Sequence, residues 1–233
     1  TLTLLNNDHQ SPGTAFYEQA LGIADTTSVA IADIDGDGRN DIATTTGASV
    51  IVLLQDPEPA SPGSFTAGNP YPAGTGAADV AVGDLNGDSL PDLAVASRGD
   101  AGGGSVSIYY QDQAANGTFI AGPRYQTDEN TQRVTIMDLN NDGLPDLAAA
   151  NNVHEGGSVS VLLQNDMIRG EFYAPDNNPG LYGPDDVAAV DVNGDDFADL
   201  VIADKCRDSD ERPYIRHQDD ASQGSFLSPV YLP

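Results

Sequence analysis

The stretch VAVGDLNGDSLPDLAVA, residues 80–96, decides the fold because the chain repeats it. Related stretches are VAIADIDGDGRNDIATT at residues 29–45, VTIMDLNNDGLPDLAAA at 134–150 and VAAVDVNGDDFADLVIA at 187–203. The first acidic residue of each stretch recurs at intervals of 51, 54 and 53 residues. A nearly constant period of this length is typical of architectures in which each repeat forms one supersecondary unit.

Each repeat contains four short segments with the character of β-strands. The first two flank an acidic cluster and are small and apolar on both faces, as expected where sheets stack face to face. The third alternates, as in SVSVLLQ at residues 158–164, and the fourth begins at a Gly-x-Phe, as in GTFIAG at 117–122. Helical periodicity is absent. The sequence therefore predicts an all-β fold, a β-propeller of four-stranded antiparallel blades.

The repeats predict four full blades preceded by an N-terminal half blade. The expected ranges are 1–24 for the half blade and 25–76, 77–130, 131–183 and 184–233 for the blades. Since the half blade offers only third and fourth strands, we expect a partial or open ring. It would be part of a larger propeller, of about seven blades and roughly 370 residues at this period, or a ring finished by another chain. A third alternative is an open arc whose ends stack into a filament.

Each acidic cluster places oxygen-bearing side chains at its positions 1, 3, 5 and 9. Alternate residues of a tight loop point to one centre, where their carboxylates repel each other unless a cation compensates. The residue at position 7 can add its backbone carbonyl. Hard oxygen donors in this number favour Ca²⁺ over Mg²⁺ or Zn²⁺. The predicted ligands are Asp33, Asp35, Asp37, Arg39 and Asp41; Asp84, Asn86, Asp88, Leu90 and Asp92; Asp138, Asn140, Asp142, Leu144 and Asp146; and Asp191, Asn193, Asp195, Phe197 and Asp199.

The loops begin like an EF-hand but lack its glutamate at position 12, and their strand-like flanks exclude a helix–loop–helix. Position 6 requires a left-handed backbone, which suits Gly38 and Gly143, is acceptable at Asp196 and is least comfortable at Ser89. The first loop has four carboxylates against three in the others, so we expect it to bind most tightly. If the loops behave like extracellular modules, their Kd is about 10⁻⁴ to 10⁻³ M.

The loops and their spacing resemble the FG-GAP/VCBS repeat family, the calcium-bearing propeller repeats of integrin α-subunit heads and many secreted bacterial proteins. The resemblance rests on four D-x-[DN]-x-D-x-x-x-D loops and covers nearly the whole chain. It implies about four structural Ca²⁺ ions, one between the first two strands of each blade. Literal Phe-Gly and Gly-Ala-Pro signatures are missing, so the VCBS branch matches better than the integrin branch.

The charge balance excludes several classes of partner. The 36 acidic and 9 basic residues give a net charge of −27, which leaves no phosphate-binding surface for nucleic acid or anionic membranes. No apolar run reaches the 18 or so residues of a membrane-spanning helix, so we expect no membrane insertion. Residues 1–8 lack the basic and apolar regions of a signal peptide. Cys206 is the single cysteine, so no internal disulfide is expected.

No motif predicts catalysis. His9, His154 and His217 do not recur in register, and neither G-x-S-x-G nor H-E-x-x-H occurs. We interpret Cys206 as a structural thiol rather than a nucleophile. Residues 98–100 form an RGD tripeptide in an expected loop, a possible integrin ligand that this composition also produces by chance.

We therefore expect a non-enzymatic, calcium-stabilised module, secreted or on a cell surface, that binds or scaffolds. Its partner would be a protein or a glycan, or the chain would associate with a second copy of itself through the unclosed propeller ends. The alternatives are a lectin-type carbohydrate-binding propeller, an accessory domain of a larger secreted polysaccharide-active enzyme, and a structural filament subunit.

Overall fold

A computed structural model describes residues 2–7, 16–57, 64–100, 103–154, 156–204, 214–218, 226–228 and 230–231. Within these ranges the chain forms 19 strands and no helix. The described chain accordingly contains no helix of the length and apolarity needed to cross a bilayer.

The strands form four blades and one smaller sheet. The smaller sheet pairs β1 (Thr3–Asn7) with β2 (Phe16–Ala20). Blade one contains β3 (Thr26–Ala32), β4 (Asp41–Thr46), β5 (Ser49–Gln55), β6 (Phe65–Ala67) and β7 (Tyr71–Pro72). Blade two contains β8 (Ala77–Gly83), β9 (Asp92–Asp100), β10 (Gly103–Gln111) and β11 (Phe119–Gln126). Blade three contains β12 (Thr131–Met137), β13 (Asp146–Asn151), β14 (Gly157–Leu162) and β15 (Asp176–Leu181). Blade four contains β16 (Pro184–Val190), β17 (Asp199–Asp204), β18 (Tyr214–Arg216) and β19 (Val230–Tyr231).

Each blade is an antiparallel meander in which strands adjacent in sequence are hydrogen-bonded. The predicted all-β propeller, four full repeats preceded by a half blade, is confirmed. In blade one the fourth strand is broken into β6 and β7, which both pair with β5. Pro70 lies in the break, where its missing N–H cannot contribute to the ladder. In blade three, Phe172 of the Gly-x-Phe forms an isolated bridge with Gln164, and β15 starts later than expected.

Successive blades pack face to face, and the first strands β3, β8, β12 and β16 contact one another in that order. Small side chains on the second strands, such as Ala43, Ala94 and Ala148, permit this approach and are fully buried. One apolar cluster fills each interface between blades. The clusters include Ile34, Val80 and Leu93 between blades one and two; Leu85, Val134 and Leu147 between two and three; and Leu139, Val187 and Leu200 between three and four.

A tyrosine from one blade also holds the Gly-x-Phe of the next. The hydroxyl of Tyr71 accepts a hydrogen bond from the backbone N–H of Phe119 at 3.0 Å, and that of Tyr125 from Phe172 at 2.7 Å. Both ring pairs meet edge to face at 5.7 Å between centroids. Each contact therefore satisfies a backbone donor and packs two aromatic rings across a blade interface.

The outer faces of blades one and four carry exposed apolar residues whose equivalents in the interior blades are buried. Val29 is 50% exposed, whereas its equivalent in blade two, Val80, is 4% exposed. Val192 is 43% exposed, whereas its equivalent Leu85 is fully buried. In the interior blades these positions contact the neighbouring blade, so the two outer faces have the surface chemistry of blade interfaces.

Candidate metal sites in the acidic turns

Each predicted acidic loop joins the first and second strands of its blade. The carboxylate at position 1 accepts a hydrogen bond from the backbone N–H at position 6. This hydrogen bond is 2.8–3.1 Å long in all four turns. A carboxylate whose oxygens accept N–H groups across the turn fixes the backbone in a tight coil.

The side chains at positions 3 and 5 each accept a hydrogen bond from the backbone N–H two residues further on. The side-chain oxygen at position 3 accepts the N–H of position 5 at 2.9–3.1 Å. The carboxylate at position 5 accepts the N–H of position 7 at 2.8–2.9 Å. The side chains at positions 1, 3 and 5 of each turn are thus held by one repeated hydrogen-bond pattern.

The backbone at position 6 is left-handed in every turn, as predicted. Its φ angle is 87° at Gly38, 70° at Ser89, 81° at Gly143 and 70° at Asp196. An L-residue in this region costs roughly 1–2 kcal/mol. At position 6 the second and fourth turns therefore carry strain that the first and third avoid, while the third turn holds a left-handed non-glycine residue at position 4, Asn141 with φ 59°.

The aspartate at position 9 is fully buried in each turn, and the four residues are Asp41, Asp92, Asp146 and Asp199. One carboxylate oxygen accepts the N–H of position 2 of the same turn, at 2.8–3.2 Å. The other accepts the N–H of the glutamine that ends the third-strand segment, at 2.7–3.1 Å. This aspartate therefore ties the turn to the centre of its blade.

In the first turn three of the predicted ligands are carboxylates that lie close together. One carboxylate oxygen from each of Asp33, Asp35 and Asp37 lies within 4.8 Å of the others. The Oδ1 atom of Asp33 is buried and accepts no hydrogen bond within the described structure. An unpartnered buried carboxylate oxygen facing two further carboxylates fits a hard cation. The guanidinium of Arg39 pairs with Asp37 and offsets part of the extra charge of this turn.

Burial raises the pKa of several turn carboxyls. Desolvation, opposed by hydrogen bonds from backbone N–H groups, raises the pKa of Asp92 and of Asp146 to about 6. Desolvation and the neighbouring aspartates also raise the pKa of Asp35. The charged forms of these groups are therefore unfavourable without a compensating cation.

The other three turns have an asparagine at position 3, whose amide group donates to the aspartate at position 5. The side-chain oxygen of this asparagine accepts the N–H of position 5, as the carboxylate of Asp35 does in the first turn. The donor chemistry of all four turns, carboxylate and amide oxygen with no sulfur, fits Ca²⁺. Coordination of a cation by these side chains, and by the position 7 carbonyls of Arg39, Leu90, Leu144 and Phe197, stays a prediction.

The remaining candidates separate into structural contacts and residues outside the described ranges. The Nε2 atom of His154 lies 2.7 Å from the hydroxyl of Tyr182. His217 lies 3.3 Å from Asp199, beside the fourth turn, a neighbourhood that the sequence did not predict. His9 and Cys206 fall outside the described residues. Residues 98–100 of the RGD belong to the end of strand β9 rather than to a loop.

A groove of about 490 Å³ lies between blades two and three, next to the second turn. Ile120 and Ile168 form its apolar walls and are 56% and 52% exposed. The guanidinium of Arg169 lies against Gly87 in the backbone of the second turn. The polar residues that line the groove are Asn86, Asp88, Asp112, Gln113, Arg169 and Glu171.

Four stacked antiparallel blades with an oxygen-rich turn at the same place in each define a repeat β-propeller. The FG-GAP-like repeat matches residues 33–95, 84–149 and 138–202, and the chain belongs to this family. No curated protein matches the chain. A similar solved structure is that of an Agrocybe aegerita lectin, described by its specific recognition of non-reducing terminal N-acetylglucosamine. The TM-score is 0.51 at 19% identity over 86% of this chain, which spans only 50% of the lectin.

Replacing Ser89 by glycine is expected to stabilise the protein, because glycine adopts the φ of 70° without steric cost. A gain of about 1 kcal/mol raises the melting temperature by roughly 2–4 °C for a chain of this size. The matched control is Gly143→Ser, which places a side chain at φ 81° and should lower the melting temperature. Differential scanning calorimetry measures both, and a lower midpoint for Ser89→Gly would contradict the assigned strain.

The calcium-free protein is expected to lose stability as the pH rises from about 4 to about 7. Burial raises the pKa of Asp92 and of Asp146 in the folded state to about 6, above the ordinary aspartate pKa of 3.8. The folded state therefore binds more protons in this interval, and its stabilisation is complete below pH 4 and lost through pH 6. Melting curves against pH should show a smaller decline for Asp146→Asn than for wild type. Exposed Asp176→Asn is the control, and an equal decline in all three proteins would refute the assignment.

Proposed function

We propose that the chain is a non-enzymatic, calcium-stabilised binding module that acts outside the cell. The observation that carries this proposal is the unpartnered buried Oδ1 of Asp33 among the carboxylates of a turn that recurs in every blade. Loops of this kind in extracellular modules bind with Kd values of about 10⁻⁴ to 10⁻³ M. Such sites fill at extracellular calcium concentrations, which supports a secreted or cell-surface location.

The side chains at positions 1, 3, 5 and 9 and the carbonyl at position 7 would hold the ion. When bound, calcium neutralises the carboxylates that otherwise repel each other. The backbone N–H groups at positions 5, 6 and 7 orient those carboxylates, and the buried aspartate at position 9 transmits the restraint to the blade. All ligand positions belong to the turn itself, which favours a structural over a catalytic ion.

Removal of calcium is expected to lower the melting temperature strongly. Calcium at ten times Kd contributes about 1.4 kcal/mol per site, or about 6 kcal/mol for four sites. That corresponds to a decrease of roughly 10 °C or more in excess EGTA. Asp88→Asn should reduce the calcium-dependent shift, whereas exposed Asp176→Asn should retain it. An unchanged midpoint in EGTA would remove the proposal, and equal protection by Mg²⁺ would contradict the choice of ion.

A carbohydrate is the ligand that the groove between blades two and three favours. Its walls combine two exposed isoleucines with acidic, amide and guanidinium groups. Apolar surface with a few hydrogen-bonding groups suits the apolar faces and hydroxyls of a sugar. The described recognition of N-acetylglucosamine by the Agrocybe aegerita lectin makes terminal N-acetylglucosamine the first ligand to test.

Replacement of Arg169 by alanine is expected to weaken glycan binding about tenfold, a loss of about 1.4 kcal/mol. Arg133→Ala is the matched control, because Arg133 lies outside the groove and is 40% exposed. Binding is measured on a glycan array and by calorimetry with N-acetylglucosamine oligomers. Retention of full affinity by Arg169→Ala, or failure to bind any glycan, would contradict the carbohydrate proposal.

Three interpretations from the sequence stay predictions. Self-association, including filament formation, would use the exposed faces around Val29 and Val192, and a monomeric mass in light scattering would contradict it. Integrin binding through residues 98–100 requires those residues to leave the end of β9. An accessory role beside an enzyme requires a catalytic domain on the same polypeptide.

A further inference from the structure

A buried glutamine from blade three reaches into the acidic turn of blade two. The Nε2 group of Gln164 donates to the carbonyl of Leu85, position 2 of the second turn, at 2.9 Å. The same group donates to the carbonyl of Pro145, position 8 of the third turn, at 2.8 Å. Gln164 is 1% exposed, so its amide is buried where the two blades meet, with one hydrogen bond crossing to blade two and one staying within blade three.

This glutamine completes a chain of hydrogen bonds between two candidate ligands. The N–H of Leu85 donates to Asp92 of the second turn at 2.9 Å. The N–H of Gln164 donates to Asp146 of the third turn at 2.7 Å. The path from Asp92 through Leu85 and Gln164 to Asp146 therefore crosses the interface without a gap.

The same path recurs at the other two interfaces. Gln111 donates to the carbonyls of Ile34 and Pro91 at 2.8 and 3.0 Å, and so joins the first turn to the second. Gln218 donates to the carbonyl of Leu139 and joins the third turn to the fourth. Both glutamines are at most 3% exposed. The four turns are thus connected in sequence by three buried side chains.

We propose that Gln111, Gln164 and Gln218 are positioning residues that couple the turns, so that a cation in one turn raises the affinity of the next. This inference rests on the proposed calcium binding. A bound ion fixes the position 9 carboxylate, which holds the N–H of the position 2 residue, and the carbonyl of that same residue accepts the glutamine of the following blade. Loosening one turn would leave buried polar groups unpaired, which is unfavourable in a low-dielectric interface. Coulomb repulsion between the bound ions acts in the opposite direction, so positive coupling identifies the glutamine path.

Gln55 provides a comparison within the chain. It occupies the same position in blade one, and its N–H donates to Asp41 at 2.7 Å. In the described part of the chain, however, its side chain makes no hydrogen bond to another turn. Gln55→Met therefore preserves the three links, whereas Gln164→Met removes one with little change in side-chain volume.

The coupling is tested by a calcium titration followed by NMR, with the amides of Gly87 and Gly143 reporting on the second and third turns. The double variant Asp84→Asn/Asp88→Asn disables the second turn. We expect the calcium midpoint of the third turn to weaken about fivefold, the lower end of typical allosteric coupling. In the Gln164→Met background, Asp84→Asn/Asp88→Asn should leave the calcium midpoint of the third turn unchanged. In the Gln55→Met background, the same double substitution should weaken that midpoint about fivefold.

A calcium-free measurement tests the path independently. Gln164→Met should increase hydrogen exchange at the Leu85 amide about fivefold or more, although Leu85 belongs to the preceding blade. Gln55→Met should not. If Gln164→Met does not fold, Gln111→Met tests the equivalent link, with the Ile34 amide as reporter.

The outcomes separate the coupling from the proposed function. If the calcium midpoint of the third turn is the same with and without a functional second turn, the coupling is overturned and the proposed function stays intact. Unchanged exchange at Leu85 in Gln164→Met would overturn the hydrogen-bond path. Absence of calcium-dependent shifts in every turn would overturn the proposed function, and the coupling of bound ions with it.

Discussion

The structure depends on one buried carboxylate in each blade. One oxygen of the aspartate at position 9 accepts a hydrogen bond from a backbone N–H of the acidic turn. The other oxygen accepts one from the backbone N–H of the glutamine that ends the third-strand segment. Three parts of the blade, the turn, the second strand and the third, therefore meet at one fully buried acid. A charge in this position is unfavourable unless hydrogen bonds or a cation compensate it, and the turn supplies only part of that compensation.

This constraint accounts for the composition as well as for the fold. A propeller interface needs small apolar residues on both faces of its inner strands, and these leave little room for buried basic partners. The carboxylates are instead gathered at one end of the blades, where an external cation can balance them. The proposed calcium would then contribute folding free energy in every repeat, so that blade stability follows the ion concentration.

The sequence predicted the elements that depend on short spacing. Alternation and the Asp-x-Asn/Asp-x-Asp pattern located the strands and turns, and the requirement for φ above zero identified the strained Ser89 and Asp196. Contacts across blades were missed, because the link from Gln164 to Leu85 joins residues 79 positions apart. The signal was nevertheless present, since a glutamine ends the third-strand segment of every repeat. The pairing of Arg39 with Asp37 and the place of residues 98–100 within β9 depend on three-dimensional packing that no short motif encodes.

Anomalous scattering from crystals grown with calcium and measured at a long wavelength tests most directly whether the acidic turns bind the ion. Calcium binding as proposed gives one peak in each acidic turn, with oxygen ligands from positions 1, 3, 5 and 9 at about 2.3–2.6 Å. Turns that contain only water, or anomalous peaks confined to sites away from these aspartates, would contradict it.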